Sequence, residues 1–327
     1  MRSRLHLMAL SLAAWVALLL PPTLSEEERR LVEEVREAHS AIYLHRVERG
    51  ILEGLEHDDR RSGLIGPRFS PLLTTVGDLE AKRLSTSPLW AVALRRILLE
   101  RGVRRLAVVS SASFPALLLS TLKAAESLGI EVRFAVSLGG SNYGAIHPDL
   151  PWPAVELLLR ERGLLRSRAS FYTPGGADES GRGLPPQALS VMRHHADRAG
   201  VRLLEGSTAE ALSAKVQLLE EGVDMLVNVG APYTSFAGDE ELAGRGGLLL
   251  PREVRAEGGL VGEALARGIP VLNLVGIRGL ARELGIPEGG REEALPPRGR
   301  RWRALGGLGL FSLWLPWLRR WWYEALP

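Results

Sequence analysis

The chain has 327 residues, 41 Lys and Arg against 38 Asp and Glu, and no cysteine. That length holds one large core or two small ones, and the lack of cysteine removes disulfides, thiolate nucleophiles and cysteine-held metals. Of the net charge of +3, residues 1–25 contribute +2 and residues 298–327 contribute +5, which leaves −4 on everything between. A body of that sign is a poor binder of a phosphate backbone, so nucleic acid is not expected as a partner, and the basic ends match anionic lipid headgroups.

Arg2 and Arg4 precede an apolar run over 5–20, which Pro21 to Leu24 extend to nearly the length of a span. No small-x-small cleavage site follows Leu20, so residues 1–24 are expected to be an uncleaved membrane anchor; a cleaved signal peptide is the competing reading. Residues 25–61 read as a charged helical stalk or a helix packed on the body. Ser25 and Glu28 form a capping-box pattern, and Leu31, Val32, Val35 and Ile42 recur near helical spacing.

Residues 62–297 form the expected α/β body. Helices are predicted over 88–101, 115–128, 153–162, 186–199, 208–221, 260–267 and 277–284. Strands are predicted over 106–109, 132–137, 169–172, 201–204, 225–229 and 271–275. This alternation predicts a mostly parallel, Rossmann-like sheet with helices on both faces. At the C-terminal end, Arg298, Arg300, Arg301 and Arg303 lead into an apolar stretch over 304–318, then Arg319, Arg320 and Trp321-Trp322-Tyr323. Residues 298–327 are expected to associate with a membrane, as a short span or an interfacial segment; a tail helix folded back on the core is the alternative.

The junction at 106–117 tells the most about chemistry. A short β-branched strand runs through Ser110, Ser111 and Ser113 into a helix with Pro115 in its first turn. Backbone N–H groups and hydroxyls at such a junction can meet an anionic ligand. In α/β sheets, ligands bind where the strands' carboxyl ends gather. The residues expected there are Ser110, Ser111 and Ser113 after the first strand and Gly139, Gly140, Ser141 and Asn142 after the second. Gly175, Gly176 and Asp178 follow the third, and Asn228 and Gly230 end a later one. Glycine admits close approach, and Ser and Asn supply directional hydrogen bonds. Turns of this kind are generally rich in these residues, so plain capping is the alternative.

No catalytic set is assembled by spacing. There is no Gly-x-Ser-x-Gly elbow and no His-Glu-x-x-His. His194 and His195, adjacent on a predicted helix, point about 100° apart, so no shared metal is expected. His57-Asp58-Asp59 reads as a solvated loop. Lys82, one of three lysines in an arginine-dominated chain, is a candidate anion contact. No cofactor is assigned.

Ser-Ala-Ser-Phe-Pro-Ala-Leu at 111–117 resembles the Ser-Gly-Ser-Phe-Pro-Ala-Leu element of the bacterial "poly-gamma-glutamate system protein" family. Further elements match in order between residues 62 and 287: Ser62-Gly-Leu-Ile-Gly66, then Ser70, Thr74, Thr75, Gly77, Ala81, Lys82, Ser87 and Pro88. They continue with Gly140-Ser-Asn-Tyr-Gly-Ala145, Gly175, Gly176, Asp178 and Gly181, then Val227-Asn-Val-Gly230 and Gly268-Ile-Pro-Val-Leu-Asn-Leu274. Ala112 replaces a glycine of the pattern, Tyr143 a tryptophan and Leu118 an asparagine. The resemblance implies a membrane-anchored accessory protein of poly-γ-glutamate capsule synthesis or export. Its partners would be the polymer or the synthesis machinery, with the body outside the cytoplasm. A hydrolase or amide-bond transferase acting on γ-glutamyl material, using Ser111 or Ser113 with Asp178, is the alternative. Removing residues 1–24 and 298–327 together is expected to free a folded body from membranes in a flotation assay. A folded, monomeric truncated protein that still floats with membranes contradicts the terminal-anchor reading.

Overall fold

The computed structural model describes residues 24–220, 222–252 and 258–288. The expected anchor and the C-terminal apolar segment therefore lie outside the described residues, among which no helix is long and apolar enough to cross a membrane. Helix α1 spans Glu26–Arg49. A short strand β1 (Leu73–Thr75) follows, then α2 (Leu79–Ser85) and α3 (Leu89–Glu100). Next come β2 (Arg105–Ser111), α4 (Pro115–Ser127), β3 (Glu131–Ser137), β4 (Gly140–Ser141), β5 (Ile146–His147), β6 (Leu150–Pro151) and α5 (Trp152–Glu161). The chain continues through β7 (Phe171–Thr173), α6 (Pro186–Ala199), α7 (Thr208–Gln217), β8 (Met225–Val229), α8 (Tyr233–Phe236) and α9 (Glu240–Gly244). It closes with β9 (Gly247–Leu249), α10 (Gly259–Ala266), β10 (Val271–Leu274) and α11 (Ile277–Leu284).

The protein is α/β, with a six-stranded sheet in the order β7-β3-β2-β8-β10-β9. All of its pairings are parallel except β9 with β10. Strand β2 is buried at every position but Arg105, as a parallel strand covered on both faces must be. Alternate side chains feed two cores: Leu106 and Val108 pack into one, Ala107 and Val109 into the other. The predicted strand at 201–204 is reduced to a single parallel bridge between Leu203 and Tyr172 at the sheet edge. Strand β9 runs antiparallel at the opposite edge and has too short an apolar run to stand out in the sequence.

Helix α1 packs on α3, α4 and α5, burying Leu31, Val32, Val35, Ala38 and Ile42. The charges that suggest a solvated stalk partly face the body. Glu28 accepts from Arg96 at 2.6 Å, Glu34 pairs with Lys123 at 2.9 Å, and Glu27 pairs with Arg95. At its C-terminus, buried Arg46 donates to the carbonyls of Ile51 (3.2 Å), Gly63 (2.8 Å), Ile65 (2.7 Å) and Glu53 (2.5 Å). It thereby holds the loop after the helix in place. Burial lowers the Arg46 pKa to about 10, so the group stays charged.

The strand order also fixes where a ligand can sit. From β2 the chain proceeds to β3 on one side and later returns to β8 on the other, so the crevice between the carboxyl ends of β2 and β8 is the switch point of the sheet. Replacing Arg46 by Met is expected to cost about 3 kcal/mol or more in urea unfolding, because several buried carbonyls lose a charged donor together. A loss below about 1 kcal/mol would show that water replaces the guanidinium there.

Candidate functional site at the sheet switch point

Ser111 ends β2 on the face shared with Val109, and its Oγ is buried without a hydrogen-bond partner among the described residues. A Cβ placed on Gly230, which follows β8 with φ +74°, would fall 2.8 Å from that oxygen. Glycine at 230 thus meets both the left-handed backbone and the close approach of the two strand ends. Ser110 points to the other layer, where its hydroxyl donates to the Ser111 carbonyl at 2.9 Å.

The turn after β2 and the turn after β3 are in direct contact. Ser141 N–H donates to Ser113 Oγ at 3.0 Å, and a Cβ on Gly140 would lie 2.8 Å from Ser113 N. Lys82 joins them from α2. Its Nζ donates to Ser141 Oγ at 2.8 Å and to the Ser113 carbonyl, and it lies 4.0 Å from the centre of the Phe114 ring. Helix α2 is aimed by Asp78, whose carboxylate caps it through the N–H groups of Glu80 and Ala81. Lys82 is 1% exposed, and burial lowers its pKa to about 7, with Asp78 opposing only in part.

All three lysines are buried. Lys123 meets Glu34 at 2.9 Å and Lys215 meets Glu179 at 3.0 Å. Lys82 alone has no carboxylate within ion-pair distance among the described residues. Lys82, Ser113 and Ser141 form one hydrogen-bonded cluster with a charge and hydroxyls suited to an anion, and the unpartnered Ser111 hydroxyl lies two residues before Ser113 at the end of β2. The Lys82–Ser141 pair also has the geometry of an amine that takes a proton from a hydroxyl.

The other expected residues divide between rim and frame. Asn142 is committed to the loop before α2, its Oδ1 accepting from the Gly77 N–H. Gly139 N–H donates to the Pro174 carbonyl at 2.8 Å, which ties the turn after β3 to the Gly175–Gly176 loop. Asp178 accepts from Ser180 and Arg182 on the outer side of that loop, interactions led by the Ser180 hydroxyl that lower its pKa. Asn228 belongs to the frame: it donates to Asn273 Oδ1 at 2.7 Å and to the Gly230 carbonyl at 2.8 Å, and accepts from Ser235 at 2.7 Å.

A buried network beside the site has no expectation in the sequence. Glu179, at φ +72°, turns inward from the 175–183 loop. Its Oε2 accepts from Ser137 at 2.7 Å and Thr173 at 2.6 Å, at the ends of β3 and β7. Lys215 from α7 adds bonds to Ser137 at 3.0 Å and Thr234 at 2.8 Å. Burial pushes the Glu179 pKa up, but Lys215 and the hydroxyl donors outweigh it, so the carboxylate is held ionised. The only sequence signal was the rarity of lysine. Compared with protein-family models, curated proteins and solved structures, the chain matches none.

Lys82 loses its proton near pH 7 when folded but near its ordinary value of about 10.4 when unfolded. Between these values the unfolded chain binds more protons, so this group makes stability rise with pH, and below about pH 7 its full burial cost is present. The stability of the native protein relative to a Lys82→Met variant is therefore expected to increase from about pH 7 toward pH 10, by at most about 1.4 kcal/mol per pH unit. A difference that stays flat across this range, measured by urea unfolding, contradicts the lowered pKa.

Proposed function

We propose that the protein holds a carboxylate of an acidic ligand at the switch between β2 and β8. Lys82 is its counter-charge and the Ser111 hydroxyl its donor, with Ser113 and Ser141 alongside. The observation that carries this reading is the missing partner of Lys82. Desolvating an ammonium costs several kcal/mol, and the other two buried lysines meet that cost with a glutamate. A ligand carboxylate would complete the third pair, beside a buried hydroxyl that also lacks a partner.

The elements that resemble poly-γ-glutamate system proteins at 111–117, 140–145 and 227–230 border this place, and so does Lys82. On that resemblance we assign the ligand as a γ-glutamyl chain or its precursor. The same resemblance, with the apolar ends, supports a membrane-anchored accessory role in synthesis or export of the polymer, with the body outside the cytoplasm.

The 2.8 Å contact between Lys82 Nζ and Ser141 Oγ favours a second reading, a hydrolase or amide-bond transferase. Neutral Lys82 would take the Ser141 proton as Oγ attacks a γ-glutamyl carbonyl carbon. The C–N bond would then break, with the proton passing from Lys82 to the departing amine, and water or an acceptor amine would release the acyl group. This reading places the nucleophile at Ser141 in place of Ser111 or Ser113, and leaves Asp178 outside the chemistry.

Calorimetry with γ-linked triglutamate tests the first reading. Ser111→Ala is expected to weaken binding by about 1.5 to 3 kcal/mol, the range for a hydrogen bond to a charged group, and Lys82→Met by at least as much. Binding unaltered in both variants contradicts it. Release of amine from a γ-glutamyl anilide, abolished by Ser141→Ala, would favour acyl transfer, whereas tight binding without turnover leaves the binding role.

A further inference from the structure

A cleft of about 710 Å³ opens between the C-terminal turn of α1 and helices α5 and α6, remote in sequence from the strand-edge residues. Its floor includes Ile51, Leu150 and Leu158. Five basic side chains line it: His45 and Arg49 from α1, and His194, His195 and Arg198 from α6. Asp149 and Glu161 are the acids of the lining. The two arginines and two carboxylates cancel, so each proton taken up by His45 or His195 makes the lining one unit more positive.

Arg193 is paired with Glu205 at 2.5 Å and Arg182 with Asp178 at 2.8 Å, whereas Arg49 and Arg198 are in no ion pair among the described residues. They crowd the histidines instead. Burial, then Arg49 and Arg162, lower the His45 pKa against the pull of Glu48. Burial also lowers that of His195, where His194 and Arg198 act with it and the Pro148 carbonyl and Asp149 oppose it. Although successive helical residues diverge by about 100°, the His194 and His195 rings meet edge to face at 5.0 Å. His195 Nε2 lies 2.8 Å from the Pro148 carbonyl, which can only accept, so Nε2 carries the hydrogen and Nδ1 is the atom left to take a second proton.

We propose that this cleft binds a small multivalent anion, an oligocarboxylate or oligophosphate, together with protons on His45 and His195. Burial is the main cause that favours neutral His45 and His195, and an anion placed among these groups opposes it and offsets the repulsion from Arg49 and Arg198. By linkage, proton uptake must then strengthen its binding. The volume lies in the range of about 300 to 1,000 Å³ typical of sites for multi-atom ligands, well beyond a single acetate or phosphate. The proposal does not rest on the strand-edge site.

The test is calorimetry on the full-length protein in detergent micelles, in two buffers of different ionisation enthalpy. The probes are tetraglutamate, tripolyphosphate and acetate. Tetraglutamate, N-acetylated so that its charge is constant across the range, is expected to bind about tenfold or more tightly at about pH 6 than at about pH 8, with proton uptake visible as buffer-dependent heat. Arg49→Gln and Arg198→Gln should each weaken it about fivefold or more. The part of the proton uptake that both arginine substitutions diminish belongs to the cleft, which separates it from uptake by Lys82 at the strand edge. Acetate should fail to compete, and the tighter of the two polyanions identifies the ligand as carboxylate or phosphate. No binding of either polyanion at about pH 6, equal affinity of tetraglutamate at both pH values, or insensitivity to both arginine substitutions overturns the proposal.

Discussion

The ammonium of Lys82 is buried where three segments of the chain meet, and its hydrogen bonds hold them together. From α2 it reaches the Ser113 carbonyl in the turn after β2 and the Ser141 hydroxyl after β3. The first of these turns borders the crevice between β2 and β8, where the sheet reverses its strand order. An apolar side chain could fill the space but could not donate to either oxygen. A positive charge there, without a carboxylate in contact, carries an uncompensated desolvation cost. That cost lowers its pKa to about 7 and leaves the site favourable for an incoming anion.

Lysine and arginine divide the work in this molecule. Of 41 basic residues only three are lysines, and all three are buried. A compact ammonium on a flexible stem fits a narrow interior site, whereas the planar guanidinium suits carbonyl clusters and surface carboxylates. Arg46 shows the second use, with its four backbone carbonyls, and Lys215 the first, within the Glu179 network. That network secures the 175–183 loop against the ends of β3 and β7, and so fixes one wall of the edge where Lys82 lies.

The central strands are legible in the sequence because burial on both faces produces short continuous apolar runs, as at Leu106 to Val109 and Met225 to Val229. Edge strands are not. Strand β9 is three residues long and pairs on one side only, and residues 201–204 form one bridge. The packing of α1 is half legible: its apolar spacing predicts a buried stripe, but the acids that reach Arg95, Arg96 and Lys123 look solvated until the partner helices are in place. The candidate site follows the same rule. The meeting of the turns at 110–113 and 139–142 is implied by parallel β2 and β3. The contact of Lys82 with Ser141 spans 59 residues and depends on the packing of a seven-residue helix, which no local pattern encodes. Asn142 and Asn228 have the right chemistry for a ligand but spend it on Gly77 and Asn273.

With only three lysines, protein labelled with ¹³C at the lysine side chains gives few enough signals to follow each ammonium through a pH titration by NMR. The account predicts that the Lys82 resonance titrates near pH 7 in the free protein, and that γ-linked triglutamate moves its midpoint upward. A Lys82 resonance that titrates in the ordinary lysine range, or one whose midpoint the ligand leaves in place, would contradict it.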